Sequence, residues 1–167
     1  SSGTIVPVDS LADLEVTAGP APGGDEFGRV EITPDGRARI YSGSLSHGQS
    51  HMTTFSMIAA DRLGMDIDDI DFVQGDTDLV PHGQGTFGSR STQLGGSAIH
   101  DAAGVVVDEA RRVAADLLEA DVSDVVLDSE AGGFHVVGSP SVTRSWAEVA
   151  AAAGKGVLDA ESRETRL

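Results

Sequence analysis

The sequence predicts an α+β domain in which helices pack on a mixed or antiparallel sheet. Some segments alternate apolar and polar residues, as strands do, and others repeat apolar residues at helical spacing. These segments follow one another in the order ββαβαββα, which favours α+β over an alternating parallel fold. The 167 residues fit one domain, and 40% apolar and 23% charged residues are typical of a globular chain.

The first half of the chain predicts a hairpin, a helix and a strand. The hairpin spans 27–43, with alternating apolar residues on both sides of the turn signal at 34–36. Helical spacing begins at Ser50 or His51 and reaches 63, where Gly64 is a typical stop. A short strand follows around 70–74.

The second half predicts a long loop followed by two helices that flank a strand pair. The loop at 75–94 is long enough to favour a functional role. A helix is predicted from about Gly96 to Leu118, and strands on either side of a Gly-Gly turn occupy 124–138. A short final helix spans 145–154, with Ser145 as its expected N-cap.

The predicted domain boundaries follow these elements. Residues 1–24 end in a Pro/Gly-rich stretch and are expected to be a linker. The folded domain is expected at 25–160, and 161–167 are expected to form a tail.

Composition excludes several classes of function. A net charge of −16 argues against nucleic acid and anionic membrane surfaces as partners. No apolar run is long enough for a membrane span, and the N-terminus lacks the pattern of a signal peptide. The absence of cysteine excludes disulfides, thiolate metal sites and a cysteine nucleophile. A cytoplasmic location is the expectation that agrees with this composition.

Two glycine-rich loops are the strongest candidates for a binding site. The segment 82–97 contains no acidic residue although the chain is strongly acidic, and the segment 42–54 carries Gly48-Gln49 just before a helix. Backbone N–H groups, hydroxyls and amides near a helix N-terminus can hold an anion or a polar heterocycle. Ordinary glycine-rich turns are the equally supported alternative.

Other sequence motifs give weaker evidence for a functional site. Residues 83–88 match G-x-G-x-x-G, but the preceding strand ends near Gln74, too early for a dinucleotide fingerprint. His47 and His51 have i, i+4 spacing, yet His47 precedes the helix, so polar residues at a helix entry are favoured over a metal site. No G-x-S-x-G or P-loop motif occurs in the chain.

Longer motifs resemble a known family. SHGQSHMTTFSMIAADRLGM at 46–65 and DFVQGDTDLVPHGQGTFGSRSTQLGGSAIHDAA at 71–103 resemble the molybdopterin-binding large subunit of the xanthine oxidase family. The large subunit of aerobic carbon monoxide dehydrogenase is the most similar branch. The resemblance covers about 25–160 and implies part of a molybdenum hydroxylase, an oxidoreductase that uses water as its oxygen source.

The resemblance implies a cofactor and a set of residues that bind it. The cofactor is molybdopterin cytosine dinucleotide or molybdopterin, and electrons pass to iron–sulfur and flavin subunits. Phe87 is expected near the substrate channel and Gly88 near the ligands of the metal, with no direct metal ligand from this chain. The implied cofactor-binding residues are His47, Gly48, Gln49, Ser50, Thr86, Phe87, Gly88, Ser89, Arg90, Ser91 and Thr92.

Departures from the family pattern set the expected limits of this chain. Ser50 stands where the family usually has glycine. The catalytic glutamate of the family and the copper-binding cysteine loop of carbon monoxide dehydrogenases have no counterpart here, so no catalytic residue is assigned. We therefore expect a domain, split subunit or fragment that needs the rest of the large subunit and is inactive alone. The substrate class stays open among carbon monoxide, purines, aldehydes and N-heterocycles, and a non-catalytic binding or assembly module is the alternative.

Overall fold

The computed structural model describes residues 25–154 and 158–164. Three helices and seven strands lie within these ranges, together with short helical turns. In chain order they are β1 (Glu26–Ile32), β2 (Ala38–Ser42), α1 (His51–Leu63), β3 (Ile70–Gln74), α2 (Ser97–Leu118), β4 (Val125–Asp128), β5 (Gly133–Val136), β6 (Thr143–Ser145), α3 (Trp146–Ala153) and β7 (Asp159–Glu164).

A four-stranded sheet in the order β3-β2-β1-β7 forms the centre of the fold. The hairpin β1–β2 is antiparallel, with Val30 opposite Ile40, and β7 pairs antiparallel with the other edge of β1. β3 pairs parallel with β2, and α1 provides the crossover that a parallel pair requires. A second, antiparallel sheet has the order β4-β5-β6.

Helix α2 packs closely across the central sheet because small residues face it. A Cβ at Gly28 of β1 would lie 2.7 Å from the backbone nitrogen of Ile99, so glycine permits the helix backbone to approach the strand. The buried side of α2 is rich in alanine and valine, including Ala102 and Val106. The hydrophobic core therefore lies between α2 and the sheet, with α1 beside it.

Helix α3 is joined to this core by its first residue. The indole nitrogen of Trp146 donates to the carbonyl oxygen of Leu63 at 3.1 Å, and its ring meets Phe134 edge-on at 4.9 Å between centroids. Ser145 accepts from the backbone nitrogen of Glu148, whose carboxylate accepts from Ser145 in return. This capping box confirms the predicted helix start.

The predicted α+β class is confirmed, but the structure adds two strands and divides the predicted sheet into two. The observed order over the described residues is ββαβαβββαβ rather than ββαβαββα. β6 has three residues, and β7 (DAESRE) lacks apolar alternation, so neither carries the usual strand signal. Arg29 holds β7 by donating to both carboxylate oxygens of Asp159, at 2.7 and 2.6 Å.

The predicted tail at 161–167 needs a correction, because 161–164 belong to β7 and pair with β1. The predicted linker at 1–24 lies outside the described residues. Among the helices that the structure describes, none has the length and apolar character needed to cross a membrane.

Candidate functional site

A cleft of about 690 Å³ lies where the two glycine-rich loops meet. Nine of the eleven predicted cofactor-binding residues line it, and His51, which was not among them, lines it as well. Ser50 and Arg90 are the two predicted residues that are not part of the lining. The lining residues are His47, Gly48, Gln49, His51, Thr86, Phe87, Gly88, Ser89, Ser91 and Thr92.

The two loops meet because they leave the same edge of the central sheet. β2 and β3 are parallel, with Ser42 opposite Gln74 at their carboxyl ends. The loop after β2, residues 43–50, leads into α1, and the loop after β3, residues 75–90, leads towards α2. Ligands of sheets with parallel strands commonly bind beyond these carboxyl ends. The topology thus unites two motifs that are distant in the sequence.

Close backbone contact keeps the loops together. A Cβ at Gly83 would lie 2.5 Å from the Cα of Gly43, so neither position has room for a side chain. The hydroxyl of Thr86 donates to the carbonyl oxygen of Leu45 at 2.6 Å. The side chain of Gln74 accepts from the backbone nitrogen of Ser46 at 2.8 Å. These contacts set the width of the cleft.

Several residues in or beside the lining have positive φ. Gly48 has a φ of 114° and Gly88 a φ of 62°, and a Cβ at either would meet nothing within 4 Å among the described residues. Ser50 and Ser89 also have positive φ, at 58° and 56°. Ser50 therefore occupies the position where the resemblance expects glycine, in a conformation that glycine adopts with least strain.

Two helical segments begin at this cleft. Ser50 is the N-cap of α1, and Arg90 is the N-cap of a π-helical turn, Ser91–Gly96, that continues into α2. Neither N-cap makes a side-chain capping bond within the described structure, and neither first turn contains an acidic residue. N–H groups at helix starts, together with the helix dipole, favour a bound anion.

His51 is a buried polar residue whose ring faces the cleft. Its side chain stacks on Phe55, with 4.9 Å between ring centroids, and the residue is 3% exposed. Nδ1 is buried and has no hydrogen-bond partner among the described residues. Burial, and to a smaller extent His47, lower the pKa of His51, so the neutral imidazole is favoured. A neutral ring adds no charge to the lining of the cleft.

The lining offers hydrogen-bond donors without negative charge. The backbone nitrogen of His47 donates to the side-chain oxygen of Gln49 at 2.8 Å, so the amide group of Gln49 can present its NH₂ to a ligand. The hydroxyl of Ser91 lies 3.4 Å from that of Thr86. None of the described lining residues is acidic. An anionic ligand would meet no carboxylate on the walls of the cleft.

Arg90 lies beneath the cleft instead of lining it. The residue is 2% exposed, and its guanidinium forms an ion pair with the fully buried Glu26, at 3.6 Å between Nη2 and Oε2. The guanidinium also lies over the ring of Phe87, 5.0 Å from its centroid. A role for Glu26 was not predicted from the sequence. Val30 and Ile32 alternate with polar residues, and continuing this alternation back from Val30 through Gly28 places Glu26 on the inward face of β1.

The structure gives the weaker motifs no support. His51 is the first residue of α1, whereas His47 precedes the helix and is exposed. Among the described residues, no group of three or more His, Asp or Glu is arranged to hold a metal ion. The G-x-G-x-x-G segment at 83–88 does not directly follow β3, since the strand ends at Gln74. The gap between β3 and residue 83 agrees with the low weight given to the dinucleotide motif.

Comparison with known proteins identifies the family. The family model described as the molybdopterin cofactor-binding domain matches residues 11–165, nearly the whole chain. The chain belongs to this family. The family assignment agrees with the resemblance seen in the two loop motifs, and it makes a molybdenum–pterin cofactor the relevant ligand class.

Relatives of this family member are found among molybdenum enzymes and related oxidoreductases. The gamma subunit of the 6-hydroxypseudooxynicotine dehydrogenase complex of Paenarthrobacter nicotinovorans is 40% identical over 142 residues, covering 85% of this chain and 18% of its own. The carbon monoxide dehydrogenase large chain of Hydrogenophaga pseudoflava is 36% identical over 158 residues, covering 90% and 19%.

Solved structures show the same fold. A crystal structure of Cu,Mo-CO dehydrogenase in the carbon monoxide reduced state matches with a TM-score of 0.77 and 33% identity, over 89% of this chain and 20% of that chain. Quinoline 2-oxidoreductase from Pseudomonas putida 86 matches with a TM-score of 0.73 and 32% identity, over 85% and 19%. The chain spans about a fifth of the length of the proteins it matches.

Proposed function

We propose that this molybdopterin cofactor-binding domain holds part of a molybdenum–pterin cofactor in the cleft between its two glycine-rich loops. The observation that carries the proposal is the convergence of Gly48-Gln49 with the 86–92 segment on one cleft. Each loop leads into a helical segment without a side-chain cap, so both present backbone donors.

The residues of the cleft fit such a group. Left-handed glycines at 48 and 88 leave the backbone open to close approach. The hydroxyls of Ser89, Ser91 and Thr92 and the amide of Gln49 can donate to phosphate and pterin atoms, and His51 adds a neutral ring to the lining. We propose molybdopterin, or molybdopterin cytosine dinucleotide, as the group that they hold.

The enzyme that we propose is a molybdenum hydroxylase of the carbon monoxide dehydrogenase or xanthine dehydrogenase type. The bound cofactor supplies the redox centre at which a carbon centre of the substrate is oxidised. This chain contributes binding and orientation of the cofactor, and the remainder of the large subunit contributes the catalytic glutamate. Iron–sulfur and flavin subunits are the proposed electron acceptors, and we place the assembly in the cytoplasm.

The substrate is proposed to be a small molecule that passes Phe87. This side chain is 43% exposed and lines the cleft, so it is available for contact with a bound molecule. The names of the relatives include carbon monoxide dehydrogenase, nicotine 6-hydroxylase and quinoline 2-oxidoreductase. Carbon monoxide and N-heterocycles are therefore the first candidates to assay.

The substitution Gln49→Ala tests the function. Loss of a hydrogen bond between a buried ligand and this amide is worth about 1–3 kcal/mol, so molybdenum content or turnover of the intact enzyme should fall about ten- to a hundredfold. The measurements are metal analysis and dye-linked oxidation in the purified assembly. Gln84→Ala is the matched control, because Gln84 is exposed on the second loop but lies outside the cleft.

Two results would contradict the proposal. Unchanged molybdenum content together with unchanged turnover in Gln49→Ala would remove the assigned role of the cleft. A wild-type assembly that contains no molybdenum when it is purified from a host that makes the cofactor would instead support a non-catalytic binding or assembly module.

A further inference from the structure

Glu26 and Arg90 form a buried ion pair at the base of the cleft. Glu26 is the first residue of β1 and has no exposed surface, and Arg90 immediately precedes the π-helical turn. Nη2 of Arg90 and Oε2 of Glu26 are 3.6 Å apart. Buried side chains of either type are rare unless they are paired. The pair thus connects the central sheet to the second cleft loop.

Glu26 also lies against the first loop and the helical turn. A Cβ built on Gly43 would collide with Oε1 of Glu26, and a Cβ on Gly95 would lie 3.5 Å from its Cγ. Gly43 begins the loop that carries Gly48-Gln49, and Gly95 belongs to the turn that follows Arg90. One carboxylate therefore packs against the first loop and the helical turn, and its ion pair with Arg90 reaches the second loop.

Arg90 connects the buried Glu26 to the wall of the cleft. Its guanidinium lies over the ring of Phe87, which lines the cleft, and its carbonyl oxygen accepts from the backbone nitrogen of Leu94 at 2.8 Å. Desolvation raises the pKa of Glu26, and the positive charge of Arg90 opposes that rise. Removing Arg90 would take away the positive charge that opposes the desolvation of the buried Glu26 carboxylate.

We infer that Glu26 and Arg90 are positioning residues, which hold the 86–92 loop in its cofactor-binding conformation through their ion pair and do not themselves bind the cofactor. The inference rests on the proposed function of the cleft. It assigns Arg90 a different role from the cofactor contact implied by family resemblance. It also assigns a role to Glu26, which lies outside both loop motifs.

The test measures the loop in the absence of the cofactor. The assembly containing this chain would be purified from a host that cannot make molybdopterin, and hydrogen–deuterium exchange would be followed in peptides covering 85–96. In Glu26→Gln and in Arg90→Met we expect exchange about tenfold faster or more, because loop opening no longer separates two paired charges. The double variant should exchange no faster than the faster single variant.

Conservative and surface variants serve as controls. Arg90→Lys keeps a positive charge near Glu26 but loses the planar group over Phe87, so its exchange should lie between that of wild type and that of Arg90→Met. Arg112→Met removes an exposed partner of Glu109 on α2 and should leave the 85–96 peptides unchanged. If Glu26→Gln fails to accumulate, the difference in exchange rate between Arg90→Lys and Arg90→Met still tests whether the positive charge at position 90 holds the loop.

Three results would overturn the inference. The first is unchanged exchange in cofactor-free Arg90→Met together with loss of molybdenum from the same variant made with the cofactor, since Arg90 would then act on the cofactor directly. The second is an effect in the double variant equal to the product of the two single effects. The third is Arg90→Lys exchanging as fast as Arg90→Met. Unchanged molybdenum content together with unchanged turnover in Gln49→Ala would refute the cofactor assignment alone, so the two failures are distinguishable.

Discussion

The substitution Gly43→Ala should separate the two loops that form the cleft. A Cβ at this position would lie 2.5 Å from the Cα of Gly83 and 2.7 Å from the carbonyl oxygen of His82, and it would also collide with Oε1 of Glu26. Two of these three neighbours are backbone atoms, so a change of rotamer cannot relieve the contact. The second loop must move away from the end of β2, taking Thr86 with it.

The size of the effect follows from this crowding. Overpacking by one methyl group typically destabilises a protein by about 1–3 kcal/mol, and the backbone contacts place Gly43→Ala at the upper end, about 3 kcal/mol. For a domain of this size each kcal/mol lowers Tm by about 2–4 °C, so the expected decrease is about 6–12 °C. Molybdenum content should fall as well, because the walls of the cleft no longer have the spacing that fits one ligand.

The assay is thermal and denaturant unfolding of the chain, with metal analysis of the assembled enzyme. Gly104→Ala on α2 is the matched control. The three atoms nearest to its Cβ would all belong to the flexible Arg62 side chain, the closest being Nη2 at 2.9 Å, and alanine favours the helix by up to about 1 kcal/mol. The stability of the Gly104→Ala variant should be equal to that of wild type or higher. Gly43→Ala within about 0.5 kcal/mol of wild type, a typical surface effect, would refute the proposed loop crossing.

Two further predictions concern stability. Ser50→Gly should stabilise the chain by about 0.5–1 kcal/mol in denaturant unfolding, since it relieves a left-handed serine that makes no capping bond; a loss of stability would contradict this. A hydrogen bond to the carbonyl of Val136 and, second, one to Asp128 raise the pKa of His135 in the folded state. The contribution of His135 to the free energy of unfolding is therefore complete below its unfolded-state pKa and is lost as the pH rises through its folded-state pKa. Unfolding free energy measured from about pH 6 to 8 should therefore fall in the wild type relative to His135→Gln, and parallel curves would contradict the assignment.

Local sequence patterns were sufficient to predict most helices and strands. Apolar alternation around the turn at 34–36 predicted β1 and β2, helical spacing before Gly64 predicted α1, and Ser145 marked the start of α3. Each of these signals acts over a few residues, so it is present in the sequence itself. β7 has no such signal, because its pairing with β1 depends on the distant contact between Arg29 and Asp159.

Some residues of the candidate site were likewise predictable from the sequence and others were not. The two loop motifs were identified from their residues, and nine of the predicted positions line one cleft. His51 and Glu26 were not identified, because their roles depend on burial. His51 is recognisable by an unsatisfied ring nitrogen, and Glu26 by a partner 64 positions along the chain, neither of which leaves a local pattern.

The sequence by itself determined the fold class, the main helices and strands, and the chemical character of two segments, 42–54 and 82–97, from which carboxylates are absent. These properties follow from hydrophobic periodicity, turn residues and charge, which act between near neighbours. Only the tertiary structure decided that the loops share a cleft, that Arg90 lies beneath it, and that Glu26 is buried and paired with Arg90. Those facts require the parallel pairing of β2 with β3 and the close approach of Gly43 to Gly83, and such contacts form only once the chain has folded.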